Sequence, residues 1–152
     1  MGEQRDVDEL LALLSRWSNR REDIVALALV GSRARGDPRG DSDVDLVLLT
    51  IRPDLYLESD DWVEEIAPGA SPIRTEDWGA ITERRLLLPS GLELDVGVGQ
   101  PSWAGVDPPD PGSQRVVGDG MRPLYDPSGI LEPLRIRSGR EASGRPPEAA
   151  ER

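Results

Sequence analysis

LVGSRARGDPRGDSDVDLVLLT, residues 29–50, reads as the end of a short apolar strand, a basic Gly-rich turn, and a second apolar strand. Gly31 has no Cβ, so backbone there can come close to a bulky anion. Ser32 brings a hydroxyl that can donate to phosphate. A helical turn starting at Ser32 would aim its N–H groups at the same anion. Asp43 and Asp45 stand two apart in a predicted strand, so both carboxylates point to one face. Val44 and Leu46 then point to the other face, into a core. Paired carboxylates beside a phosphate-binding turn suit a Mg²⁺-nucleotide, because Mg²⁺ takes hard oxygen ligands from one or two carboxylates and from the phosphates.

Upstream, Asp23 to Val30 is almost continuously apolar and predicts a buried strand. Before it, Val7, Leu10, Leu11, Leu14 and Trp17 share one face of a helix expected over Asp6–Ser18, with Asp6 and Glu9 as a capping box. Downstream, Val44 to Ile51 is the second strand, ended by Pro53. A helix is expected within Ser59–Ala67, capped by Ser59 or Asp60, and a turn over Pro68–Pro72. Ala80–Leu88 and Leu92–Val98 predict two strands joined by Pro89-Ser90-Gly91. In the second of them Glu93, Asp95 and Gly97 share one face, and Leu92, Leu94, Val96 and Val98 the other. A Pro- and Gly-rich loop follows over Pro101–Gly112. Short elements are expected at Ser113–Gly118 (helix), Met121–Tyr125 (strand) and Ser128–Leu134 (helix). From Ser138 the chain reads SGREASGRPPEAAER, without large apolar residues. The expected organisation is one domain over residues 1–137 and a disordered tail over 138–152.

Composition removes several chemistries. The 152 residues contain no Cys and no His, which excludes disulfides, thiolate catalysis, Ser-His-Asp triads and the usual zinc sites. All 18 basic residues are Arg, so there is no P-loop lysine and no Schiff base, and charged phosphate contacts must come from Arg. A net charge of −11 disfavours nonspecific nucleic-acid binding and anionic membranes; it fits a soluble protein or one that meets a basic partner, and also follows from a composition in which Arg, Gly, Pro and Ala are abundant together. No apolar run is long enough to cross a bilayer, and no apolar signal segment opens the chain, so the expected location is the cytoplasm.

GSRARG at 31–36, followed by Asp41-Ser42-Asp43-Val44-Asp45-Leu46, resembles the G-S-x-x-R-G…S-D-x-D-L signature of the minimal nucleotidyltransferases, members of the DNA polymerase β-like superfamily. The resemblance spans residues 23–98 and is strongest at 29–50. It implies an α/β (α+β) fold: a mixed β-sheet with helices packed on one side and three carboxylates on adjacent strands. Asp43 and Asp45 match the first two acids. Asp95 matches the third, because Leu94-Asp95-Val96 resembles the family's third motif; Glu93, on the same face, is its rival. The implied chemistry is two-metal nucleotidyl transfer from ATP. Asp43, Asp45 and Asp95 would hold two Mg²⁺, and Asp95 would also accept the proton of an attacking hydroxyl. Gly31 and Ser32 would cradle the outer phosphates. Arg33 and Arg35 could neutralise charge there or be solvated loop residues. Trp78 and Trp103 could flank a base or simply pack. One of Arg84 and Arg85 could reach the site, or both could pair with surface acids.

Three functional readings remain open from the sequence. The chain resembles a stand-alone minimal transferase, some of which act as antitoxins that adenylylate a HEPN-type ribonuclease toxin; an acidic enzyme and a basic ribonuclease are electrostatically compatible. Transfer to a small hydroxylated molecule is the second, with the acceptor site completed by a homodimer. The third is a module that binds nucleotide or protein without turnover.

Overall fold

The computed structural model describes residues 2–36, 43–105 and 110–142. Asp37, Pro38, Gly40, Asp41 and Ser42 of the expected loop, and residues 106–109, lie outside them.

The chain opens with α1 (Gly2–Asn19), whose apolar stripe Val7, Leu10, Leu11, Leu14 and Trp17 is buried throughout. Each of these side chains contributes about 1.5–3 kcal/mol by leaving water. The helix begins four residues before the Asp6–Glu9 pair, which therefore lies inside it and not at its cap. Glu3, Gln4 and Arg5 are strong helix formers, and no breaker stops the helix at Asp6. Strands β1 (Ile24–Val30) and β2 (Val44–Thr50) follow as expected. Two short helices come next, α2 (Asp54–Leu57) and α3 (Asp61–Ile66); α2 is a single turn that buries Tyr56 and had no periodicity to announce it. The Ser59 hydroxyl accepts from Asp61 N at 3.1 Å, whereas the Asp60 side chain caps nothing.

Ser71–Asp77 is a strand, β3, where the sequence suggested only a turn to Pro72. It is exposed along nearly its whole length at the sheet edge, so it carries no apolar alternation, and Pro72 is tolerated there. The hairpin β4 (Ile81–Leu87) and β5 (Glu93–Gly99) follows, then a 3₁₀ turn (Pro101–Ala104), α4 (Pro111–Gly118), β6 (Met121–Tyr125) and α5 (Leu131–Ala142). α5 carries the chain past residue 138, where a tail was expected, and Ser138 is buried; residues 143–152 lie outside the described residues.

The described strands form one mixed sheet in the order β3-β4-β5-β2-β1-β6. Its only parallel pair is β2–β5, at the centre; the other neighbours are antiparallel. The α+β class is as expected, but the helices are not confined to one side. α1, α2 and α3 cover the face carrying Leu27, Leu29, Leu46, Leu48, Leu94 and Val96. The 3₁₀ turn, α4 and α5 pack Trp103, Ala104, Val117, Leu131 and Leu134 onto Ala26, Ala28, Val30, Val47 and Leu49 of the opposite face. That second layer is small, so its pattern is weak in the sequence.

Under the first layer, Trp17, Tyr56 and Trp62 pack with ring centroids 5.6–6.5 Å apart. The Tyr56 hydroxyl donates to Asp23 Oδ2 at 2.5 Å, and Thr50 Oγ1 donates to the same oxygen at 2.8 Å. This network fastens the start of β1 to the end of β2; the turn and the acids lie at the opposite strand ends.

Candidate active site

Strand register builds the site. Val30, the last residue of β1, pairs with Asp45 of β2, and Asp45 pairs with Asp95 of β5. Asp95 in turn faces Arg85 of β4. Because side chains alternate, Asp43, Asp45 and Asp95 emerge on one face while Val44, Leu46, Leu94 and Val96 enter the core beneath. One carboxylate oxygen from each of Asp43, Asp45 and Asp95 lies within 4.8 Å of the others. That span is close to what one hard cation with oxygen ligands at ~2.0–2.1 Å requires.

Gly31 sits against this cluster with φ +82°, and a Cβ there would stand 2.9 Å from Asp45 Oδ2. Its absent side chain makes room for the Asp45 carboxylate. The carbonyl of Gly31 accepts from Ala34 N at 3.0 Å and Arg35 N at 3.2 Å, so residues 31–36 form one tight turn. Gly31 N is already spent on Gly120 O at 3.3 Å, so its own amide does not face outward. Ser32 is on the turn and half-buried. Arg33 Nε donates to Asp43 O at 3.3 Å, which ties the turn to the acid strand. Arg35 is exposed and donates to Asp119 O at 2.7 Å, bracing α4.

Asp95 is only 6% exposed. Its Oδ1 is buried with no hydrogen-bond partner among the described residues, and the neighbouring Asp45 carboxyl can satisfy it only by bringing a proton. Burial pushes the Asp95 carboxyl up to about 7, helped by the charges of Glu83 and Asp45 and opposed by Arg85. Asp45 is raised too, by burial first and by repulsion from Asp43, against a hydrogen bond with Asp95 and the charge of Arg85. A buried acid with an unspent oxygen beside two more acids fits a divalent cation, which would supply the missing partner.

Arg85 is the residue whose place the sequence left undecided. It donates to Asp95 Oδ2 at 2.7 Å, to Asp43 Oδ2 at 3.2 Å and to Glu93. Glu93, the rival third acid, is thereby paired with Arg85 and is not in the converging group of three. Arg84 points through the other face and donates to Tyr56 O and Asp60. The signal for Arg85 lay in the hairpin: Arg85 and Asp95 flank Ser90 symmetrically, which makes them partners.

A cavity of about 570 Å³ adjoins the acids on the same face. Gly31, Asp45 and Asp95 border it, as do Val47, Ile81, Gly97, Arg115, Trp78 and Trp103. Gly97 and Gly99 let Ile81 settle on the sheet; a Cβ at either would meet it within 2.9 Å. Trp103 is 6% exposed and fixed by Ser113 Oγ, which donates to its carbonyl at 2.8 Å. Trp78, on the β3–β4 turn, is 63% exposed.

Residues 10–77 match the family of nucleotidyltransferase domains. No curated protein matches the sequence. Among solved structures, the chain is similar to an aminoglycoside 6-adenyltransferase from Bacillus subtilis, with a TM-score of 0.47 and 16% identity over 63% of this chain. This chain spans 35% of that protein's length. The matched residues take in the Gly31–Ser32 turn, Asp43 just before β2 and Asp45 within it.

Proposed function

We propose that this chain is a metal-dependent nucleotidyltransferase that moves AMP from ATP onto a hydroxyl of a protein acceptor, a HEPN-type toxin being the leading example. The observation that carries the reading is the convergence of Asp43, Asp45 and Asp95 within 4.8 Å beside the Gly31 turn and at the mouth of a cavity.

Asp43, Asp45 and Asp95 are the residues that would hold Mg²⁺, two ions in the family pattern. When bound, the metal neutralises the triphosphate and stabilises the attacking and leaving oxygens. The chain supplies the rest. The turn at Gly31 and Ser32 receives the outer phosphates, with Arg33 at hand to balance charge. The cavity between Trp103 and Trp78 receives the nucleoside, on an apolar surface of Val47 and Ile81. The acceptor oxygen attacks the α-phosphorus, the bond to the β-phosphate breaks, and pyrophosphate leaves. Asp95, the most buried of the three acids, would take the proton released by the hydroxyl. The net charge of −11 supports a basic protein as acceptor, since charge complementarity speeds encounter and selects partners.

The test uses α-labelled ATP and Mg²⁺ with a lysate of the native host, comparing wild type with the Asp43→Asn/Asp45→Asn double variant. A labelled protein band that needs both acids supports the reading and identifies the acceptor by mass. Label in the small-molecule fraction would replace the protein with a small hydroxylated acceptor. Equal label with both proteins would remove the acids from catalysis and overturn the assignment.

A further inference from the structure

Arg85 has an unusual set of partners. Its guanidinium nitrogens donate to Asp43, Glu93 and Asp95, all carboxylates, and its Nε is buried without a partner among the described residues. Arg84 next to it is held by a backbone carbonyl, Tyr56 O, as well as by an acid. Two of the three acids that hold Arg85 are also two of the three whose oxygens converge. The third, Glu93, stands outside that group. A fixed positive charge within hydrogen-bond distance of two ligand carboxylates must weaken their hold on a second cation. Removing every cation would also be costly, because Asp43, Asp45, Glu93 and Asp95 would then face one another with nothing between them.

We infer that Arg85 is a positioning residue that takes the cation's place among the acids when the metal is absent and sets the metal concentration at which Asp43, Asp45 and Asp95 are occupied, while Glu93 is the acid that keeps hold of its guanidinium as the ion enters. This rests on the metal-dependent reading above. It gives Glu93 a purpose distinct from ligation. It also accounts for four carboxylates gathering at one end of a sheet, since the arrangement is tolerable in the metal-free protein only with an internal counter-ion.

The experiment measures Mn²⁺ binding to the full chain by the loss of the free-ion electron paramagnetic resonance signal, with no nucleotide present. Wild type is compared with Arg85→Met, Arg85→Gln, Arg85→Lys and Asp45→Asn. Loss of the charge in Arg85→Met and Arg85→Gln should tighten Mn²⁺ binding by roughly tenfold, the effect of one nearby unit charge in a partly solvated site. Arg85→Lys keeps the charge and should stay within about threefold of wild type. Gln retains hydrogen bonding, so it serves if the Met variant does not fold. Unchanged or weaker binding in both neutral variants, with Asp45-dependent binding intact in wild type, overturns the role of Arg85 alone. Binding that is the same in Asp45→Asn as in wild type overturns the metal site, and this inference with it.

Discussion

Asp45 and Asp95 are register partners on the parallel β2–β5 pair, with carboxyls close enough to share a proton. The sheet places them there through backbone pairing, so the repulsion between them is built into the fold.

The pH dependence of the metal-free protein follows. Asp95 has a folded pKa pushed up to about 7 from an ordinary 3.8, chiefly by burial. A carboxyl raised in the fold contributes stability below its unfolded value, and that stability is lost as pH climbs through the folded value. In EDTA, stability should therefore fall as pH climbs from about 4 to about 7 and level off above, by on the order of 1–3 kcal/mol. Asp95→Asn should flatten this slope. Melting curves across that range decide it; an equal slope in the variant would show that another group titrates.

Activity and stability should move in opposite directions when these acids are neutralised. Asp43→Asn, Asp45→Asn and Asp95→Asn should each lower transfer at least about 100-fold, since even groups behind a metal ligand matter by 10–100-fold. Without metal, the Asp45 and Asp95 variants should melt no lower than wild type, because each removes a like charge whose ionised form its surroundings disfavour. A variant that loses activity only by unfolding would fail this prediction.

Gly31 and Gly36 form a matched pair. Both have positive φ, +82° and +78°. Alanine at either should cost about 1–2 kcal/mol in backbone strain. At Gly36 the added carbon meets nothing within 4 Å, whereas at Gly31 it meets Asp45 Oδ2 at 2.9 Å. Gly31→Ala should therefore lose activity well beyond its loss of stability, and Gly36→Ala should keep activity at temperatures where it is folded. Parallel melts and transfer assays separate the two effects.

What could be read from the sequence follows from which signals are local. The alternation Asp43-Val44-Asp45-Leu46 and Leu94-Asp95-Val96 puts the three acids on one face by pattern alone, because a charge flanked by apolar strand neighbours has one tolerable orientation. The adjacent Arg84 and Arg85 necessarily point to opposite faces, but which one reaches the acids depends on hairpin register, and that is a pairing property. β3 stayed hidden because an exposed edge strand needs no apolar periodicity. The helices of the second face stayed ambiguous for the converse reason: among the described side chains, α4 and α5 bury Val117, Leu131 and Leu134 as their large apolar contribution, too few for a clear stripe.

Tryptophan fluorescence offers a direct view of the cavity. The chain has four Trp, and Trp17 and Trp62 are locked with Tyr56 on the far face of the sheet. A change in emission on adding nucleotide therefore comes from Trp78 or Trp103, which border the cavity. Trp103 is buried, so Trp103→Ala should cost about 3–5 kcal/mol of stability and confound any binding measurement. Trp78 is largely exposed and can be removed with little effect on folding. If it stacks on the base, Trp78→Ala should weaken nucleotide binding by about 1–3 kcal/mol, the worth of one base–aromatic stack, and abolish most of the quench. Transfer at saturating nucleotide should be preserved, because Trp78 is exposed on the β3–β4 turn and is not one of the converging acids. A variant that retains the full quench and affinity would put the base elsewhere and leave Trp78 to the acceptor.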